Sequence, residues 1–226
     1  MAIAATLLFG SLARADHSAG SDTDLLMINL KDETRHVSVG QLSIFIYPWR
    51  QLEEDAQSGD LFTCHLVQEA KPLVDPDGYL PRLQSAFQFR SSYQDDIERA
   101  FDLGWYLVRF GDELTSALLA KRALWCIRTV LIARSAERRV PVFAPRQLAQ
   151  QTPSKPAREL LNARHHQPDG NSLRQALRSF LETEATSASL LVDAEKSVFL
   201  GRFVATSNKV ALQTLKQHEK NRKGYS

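Results

Sequence analysis

Two carboxylates two residues apart, Asp22 and Asp24, open the apolar run 24–30 (DLLMINL), and ten residues separate them from the pair Gly10-Ser11. Residues two apart in a strand point to the same face, so the two side chains would lie together. Side by side they repel each other unless a cation sits between them. Hard oxygen donors of this kind suit Mg²⁺ or Mn²⁺, which take a few carboxylates and complete their shell with phosphate oxygens and water. Gly10 ends the apolar run 3–9. Glycine there lets phosphate oxygens approach the backbone amides at the start of a short helix, and the Ser11 hydroxyl adds a hydrogen bond. Gly10, Ser11, Asp22 and Asp24 together describe a site for a triphosphate bridged by metal to two carboxylates.

Such a site needs runs 3–9 and 24–30 to be neighbouring strands, with SLARADH forming one or two helical turns between them. A third run, 37–47 (VSVGQLSIFIY), is rich in β-branched and aromatic residues and ends at Pro48, which predicts a strand. Residues 48–71 are expected to be helical with a break at Ser58-Gly59. Beyond LVDPDGYLP, the segments 83–110, 113–139, 155–166, 172–184 and 187–220 carry apolar residues at three- and four-residue spacing, the helical period. The expected fold is α+β, with a small mixed-sheet domain over residues 1–80 followed by an α-helical bundle over 81–226.

The bulk properties fit this plan and narrow the partners. A chain of 226 residues, 43% hydrophobic and 24% charged, can bury a real core in one large or two small domains. A net charge of +2 creates no field drawing the molecule to nucleic acid or membrane. Neither is an expected partner. No apolar run reaches the length of a membrane span. Cys64 and Cys126 are the two cysteines, each in an apolar helical pattern, and are read as reduced thiols of a cytoplasmic protein. Ala13-Arg14-Ala15 looks like the end of an export signal, but no Lys or Arg precedes the apolar run, and that missing positive region argues against one.

The layout of residues 9–27 resembles the nucleotidyltransferase superfamily related to DNA polymerase β, in its minimal and antibiotic-modifying forms. Its fingerprint is Gly-Ser, a spacer, then Asp-x-Asp at the head of the next strand. Here these are Gly10-Ser11 and Asp22-Thr23-Asp24, with LLF before, LAR after, and SDTDLLM where the family has Ser-Asp-x-Asp-Leu-Leu. The resemblance implies that Gly10 and Ser11 bind the phosphates of an NTP, ATP foremost. It makes Asp22 and Asp24 catalytic metal ligands for Mg²⁺ or Mn²⁺. Arg14 matches an arginine common in the family just after Gly-Ser, while Ala15 replaces the glycine that usually follows it. The helix that usually precedes the first strand is missing, so the domain is expected to be trimmed or to start upstream.

Members of that superfamily carry another acid on a later strand, facing the first two. Counting back from Leu52 puts its place near Ser43, and a hydroxyl is not a base at neutral pH. Ser43, Phe45 and Tyr47 share one face of the expected strand and Leu42, Ile44 and Ile46 the other; neither supplies an acid. Three explanations stand open. The base comes from elsewhere, Glu69 first and Asp112 or Glu113 next; or nucleotide is bound with little or no transfer; or the strand register differs.

In the helical half, LLAKRALWCIRTVLIARSAERR sets Lys121, Trp125 and Arg128 on one stripe. That is either a cationic wall over a triphosphate, with Lys121 as the phosphate contact, or a core helix whose basic side chains reach to water. The order of this half, with VFAPRQLAQQTP and then ARELLNARHH, is similar in pattern to the helical domain of streptomycin-type adenylyltransferases. Arg158 and His165 have the spacing of a helical ribonuclease motif, but such spacings arise by chance, and surface helix is expected there. His17 is expected to be a surface residue of its loop.

The expected function is metal-dependent transfer of a nucleoside monophosphate from an NTP to an acceptor hydroxyl, with release of pyrophosphate. The acceptor is a small molecule such as an aminoglycoside, or a protein. The alternative is a nucleotide-binding antitoxin or partner protein of the same fold, with a toxin as its partner and weak or no catalysis. A nucleotide sensor without chemistry is the third reading.

Overall fold

The computed structural model describes residues 3–17, 20–31, 33–162, 169–185 and 191–223. Alternating apolar residues build β1 (Ile3–Phe9), in which Ala5, Leu7 and Phe9 are buried. The chain turns at Gly10 into the short α1 (Gly10–Arg14) and returns as β2 (Thr23–Asn29), antiparallel to β1 with Phe9 opposite Asp24. The run 37–47, expected as one strand, is part of a hairpin of β3 (Arg35–Val39) and β4 (Leu42–Pro48). Gly40 makes the turn at φ +59, a conformation that glycine takes at little cost. β4 pairs parallel to β2, and a short β5 (Lys71–Val74), which begins at the last residue of the stretch expected as helix, pairs antiparallel to β1. The result is a five-stranded mixed sheet in the order β3-β4-β2-β1-β5.

Three helices cover the apolar face of this sheet: α2 (Trp49–Gln57), α3 (Leu61–Glu69) and α4 (Tyr79–Ala86). The break expected at Ser58-Gly59 is present, and Asp60 starts α3 by accepting hydrogen bonds from the amides of Phe62 and Thr63 at 2.8 and 2.9 Å. Leu7, Phe9, Leu26 and Ile28 of the sheet pack with Leu52, Leu66 and Leu83 of the helices in one core. Burial of each such side chain is worth about 1.5–3 kcal/mol, so the alternating strand pattern is what holds the sheet to its helices.

The chain divides into two compact units: residues Met1–Ser91 with Ala136–Ala144, and Ser92–Ser135 with Pro145–Ser226. In the first, Arg139 Nη1 donates to the Arg90 carbonyl at 2.7 Å, and the Phe143 ring stacks on His65 with centroids 4.4 Å apart. The second is helical: α5 (Gln94–Phe110), α6 (Ser116–Glu137, whose last turn belongs to the first unit), α7 (Pro145–Gln151), α8 (Lys155–Asn162), α9 (Gly170–Glu184), α10 (Lys196–Ala205) and α11 (Lys209–Lys223). Two stretches expected as single helices are each broken. Segment 83–110 leaves the helix at Phe87, which is extended, and re-enters near Ser92, whose hydroxyl accepts from the Gln94 amide at 3.1 Å. In segment 187–220, Ser207 at φ 50 separates α10 from α11. Tyr106, Phe199 and Phe203 form an aromatic centre of this unit. His165 and His166 lie outside the described residues. Cys64 and Cys126 are free and buried. Among the described residues no helix is long and apolar enough to cross a membrane.

Candidate functional site

The antiparallel register of β1 and β2 sets Phe9 opposite Asp24, so the residue after Phe9 meets the Asp24 carboxylate. That residue is Gly10, at φ +74, and a Cβ built on it would come 2.5 Å from Asp24 Oδ2. Glycine is required twice here, once by the backbone and once by the space. Ser11 follows, 8% exposed, and Asp22 is exposed one residue ahead of β2. Gly10, Ser11 and Asp24 thus come together where β1 ends and β2 begins. Among the described residues no three His, Cys, Asp or Glu gather into a group that could enclose a metal. Asp24 beside the glycine turn, with Asp22 two residues earlier in the chain, supplies hard oxygen donors of the kind Mg²⁺ takes together with phosphate oxygens and water.

The parallel pairing of β2 and β4 places Ser43 opposite Asp24, in the register counted from the sequence. On the other side of β4, Ser38 of β3 is opposite Ser43. Phe9, Asp24, Ser43 and Ser38 therefore form one row across four strands, and directly opposed residues share a face. One step along β3, the His36 ring stacks on Phe45 with centroids 4.3 Å apart and planes at 22°. Its Nε2 lies 3.3 Å from Ser38 Oγ and shares a hydrogen bond with it. His36 escaped the sequence reading because it falls one residue before the run 37–47. The H-x-S alternation ahead of Gly40 was the signal that could have revealed it.

Glu69, the first choice for a base from outside the strand, and Arg14, matched to the family's nucleotide-site arginine, are hydrogen-bonded to each other. The Asp60 cap and the four-residue spacing put His65 and Glu69 on one face of α3, where Glu69 Oε2 is 2.6 Å from His65 Nε2 and accepts from Arg14 Nη1 at 2.5 Å. Arg14 Nε also donates to Asp16, at 3.1 Å to Oδ2. The three partners of this chain are 12–16% exposed. Burial works to lower the Arg14 pKa, and Asp16 and Glu69 more than reverse it, so the guanidinium ends above its ordinary value. With two carboxylates on one guanidinium, Arg14 carries no surplus positive charge to offer a phosphate. The cluster fastens α1 to α3. His65 is held further by its stack on Phe143 and an edge contact with Phe9 at 5.6 Å.

Ala15 closes α1 in the left-handed region at φ 61. It stands where the resembled family has glycine, and the backbone there takes the conformation glycine prefers. The other candidates lie in the second unit. Lys121 is exposed on α6, Trp125 is half-buried, Asp112 pairs with Arg174 at 3.3 Å and Glu113 with Lys196 at 2.5 Å. His17 is exposed in its loop.

No protein-family model matches the chain, and no curated protein matches it. Among solved structures it is similar to a nucleotidyltransferase-like protein from Exiguobacterium sibiricum 255-15, at 15% sequence identity and a TM-score of 0.35. The similarity covers 95% of this chain and 74% of the other. At that score the likeness says nothing about chemistry, which has to come from the residues themselves.

Proposed function

We propose that the protein transfers a nucleoside monophosphate from an NTP, ATP foremost, to an acceptor hydroxyl on a small molecule or a protein, with release of pyrophosphate. The observation that carries this reading is the Gly10–Asp24 contact. A carboxylate held against a glycine that admits no side chain sets an acid directly beside backbone that a phosphate can approach closely. Gly10 and Ser11 cradle the phosphates; Asp22 and Asp24 would hold Mg²⁺ or Mn²⁺. When bound, that ion neutralises the triphosphate and aligns it for in-line attack. The Arg14–Glu69–His65 cluster keeps α1, and with it the phosphate turn, in place. The test is incubation with α-labelled ATP and Mg²⁺ or Mn²⁺, with aminoglycosides or candidate proteins as acceptors. Pyrophosphate release or label transfer is expected, and loss of both in Asp22→Asn. Absence of both from the unaltered protein ends the proposal.

A second reading, a nucleotide-binding partner or antitoxin with little catalysis, is favoured by one observation: the position opposite Asp24 is Ser43 and not an acid. Tight binding of Mg-ATP without pyrophosphate release, together with capture of a toxin partner, is what it predicts.

A further inference from the structure

Resting on the nucleotidyl-transfer reading, we infer that His36 is the base that takes the proton from the acceptor hydroxyl, in place of the acid missing at Ser43. In-line displacement requires the attacking oxygen and the leaving group to lie on opposite sides of the phosphorus. The sheet order β3-β4-β2-β1-β5 decides which sides these are. The phosphate turn at Gly10 is at the end of β1, and the carboxylate of Asp24 is on its neighbour β2. Pyrophosphate therefore departs over β1, and the acceptor arrives from over β4 and β3. On that side the row beyond Asp24 offers two hydroxyls, Ser43 and Ser38, and then His36 one step along the edge strand.

Strands are about 4.8 Å apart, so Ser38 stands about 10 Å from Asp24 across the sheet. A serine at position 43 takes up less of that interval than a carboxylate would. The ring of His36 is fixed by its stack on Phe45, and its Nε2 already shares a hydrogen bond with a hydroxyl, that of Ser38, at 3.3 Å. This is long for a hydroxyl hydrogen bond, so an incoming acceptor hydroxyl can take the place of Ser38. A base oriented by a third group and within reach of a hydroxyl is the arrangement that activates an oxygen nucleophile. All five residues of β3 are exposed, so a bulky acceptor can reach it. In the step, the acceptor oxygen bonds to the α-phosphorus and the bond to the β-phosphate oxygen breaks. Pyrophosphate leaves with that electron pair, and the acceptor proton goes to His36 Nε2 and from there to water.

The experiment uses the full chain with Mg-ATP and with water and glycerol as probe acceptors, following pyrophosphate release, while calorimetry with a non-cleavable α,β-methylene ATP reports binding. His36→Ala is expected to lower turnover about 10²–10⁴-fold, with analogue binding and KM for Mg-ATP unchanged; that unchanged binding also shows the variant is folded. Free imidazole should restore part of the lost turnover in His36→Ala, and Phe45→Leu should lower turnover by a smaller factor. Wild-type turnover in His36→Ala, or a loss that imidazole does not rescue, overturns the assignment while leaving the transfer reading intact. If Asp24→Asn does not weaken analogue binding, or if the unaltered protein binds Mg-ATP without releasing pyrophosphate, the transfer reading fails and the base falls with it.

Discussion

Asp24 and Ser43 are cross-strand partners on the parallel pair β2 and β4, one carboxylate facing one hydroxyl. In the nucleotidyltransferases that the sequence resembles, an acid belongs at the second position. Ser43→Asp would therefore crowd a third carboxylate against the first two. Like charges directly opposite cost about 0.2–1 kcal/mol without a cation, and a bound divalent ion reverses that sign. We expect Ser43→Asp to melt below the unaltered protein in EDTA and to gain more from Mg²⁺ or Mn²⁺ in a thermal scan. An equal metal response in both proteins would mean that Asp22 and Asp24 do not form a metal site.

Three positions in left-handed backbone make a graded series. Gly10→Ala meets Asp24 Oδ2 at 2.5 Å and an unfavourable φ together. It should cost about 2 kcal/mol or more and abolish Mg-ATP binding. Gly40→Ala has open space around its Cβ and should cost about 1 kcal/mol from the backbone alone. Ala15→Gly relieves strain at φ 61 and should stabilise by about 1 kcal/mol. Urea unfolding measures all three, and a destabilising Ala15→Gly would contradict the turn as described.

The Arg14–Glu69 pair is too sheltered to behave as a surface ion pair, whose worth is usually small. In a double-mutant cycle with Arg14→Ala and Glu69→Ala, the coupling energy should fall at about 1–3 kcal/mol. A value near zero would show that α1 is held to α3 by packing alone.

Alkaline pH should expose the buried thiols. Burial is the main cause that pushes the Cys64 thiol from 9.0 up to about 12, and it raises Cys126 as well. A raised thiol stays protonated in the folded chain while its unfolded counterpart ionises. Its contribution is then intact below pH 9 and declines as pH rises from 9 toward 12, by about 1.4 kcal/mol per pH unit per thiol. Cys64→Ala should flatten its share of that slope in urea midpoints taken from pH 8 to pH 11. Equal slopes in the two proteins would refute the assignment. Neither thiol should react with a disulfide reagent until the chain unfolds.

The turn at Gly10 and the strands on either side of it were legible in the sequence because everything that makes them is local. Apolar alternation marks β1 and β2, a glycine ends one and an Asp-x-Asp opens the other, and the antiparallel return between them is short. The helix break at Ser58-Gly59 was legible for the same reason. The hairpin at Gly40 was not, since a run of β-branched and aromatic residues looks the same whether it runs straight or folds back, and only pairing with β2 distinguishes the two. That pairing set Ser43 against Asp24 and left His36 on the edge strand one step from Ser38. Glu69 looked available as a base until α1 and α3 met and Arg14 took it up. By itself the sequence determined the turn at Gly10 and the two strands that meet there. Tertiary structure decided that Arg14 is paired with Glu69 and that His36 stands beside Ser38 and Phe45, because those follow from contacts between strands and helices that local periodicity does not encode.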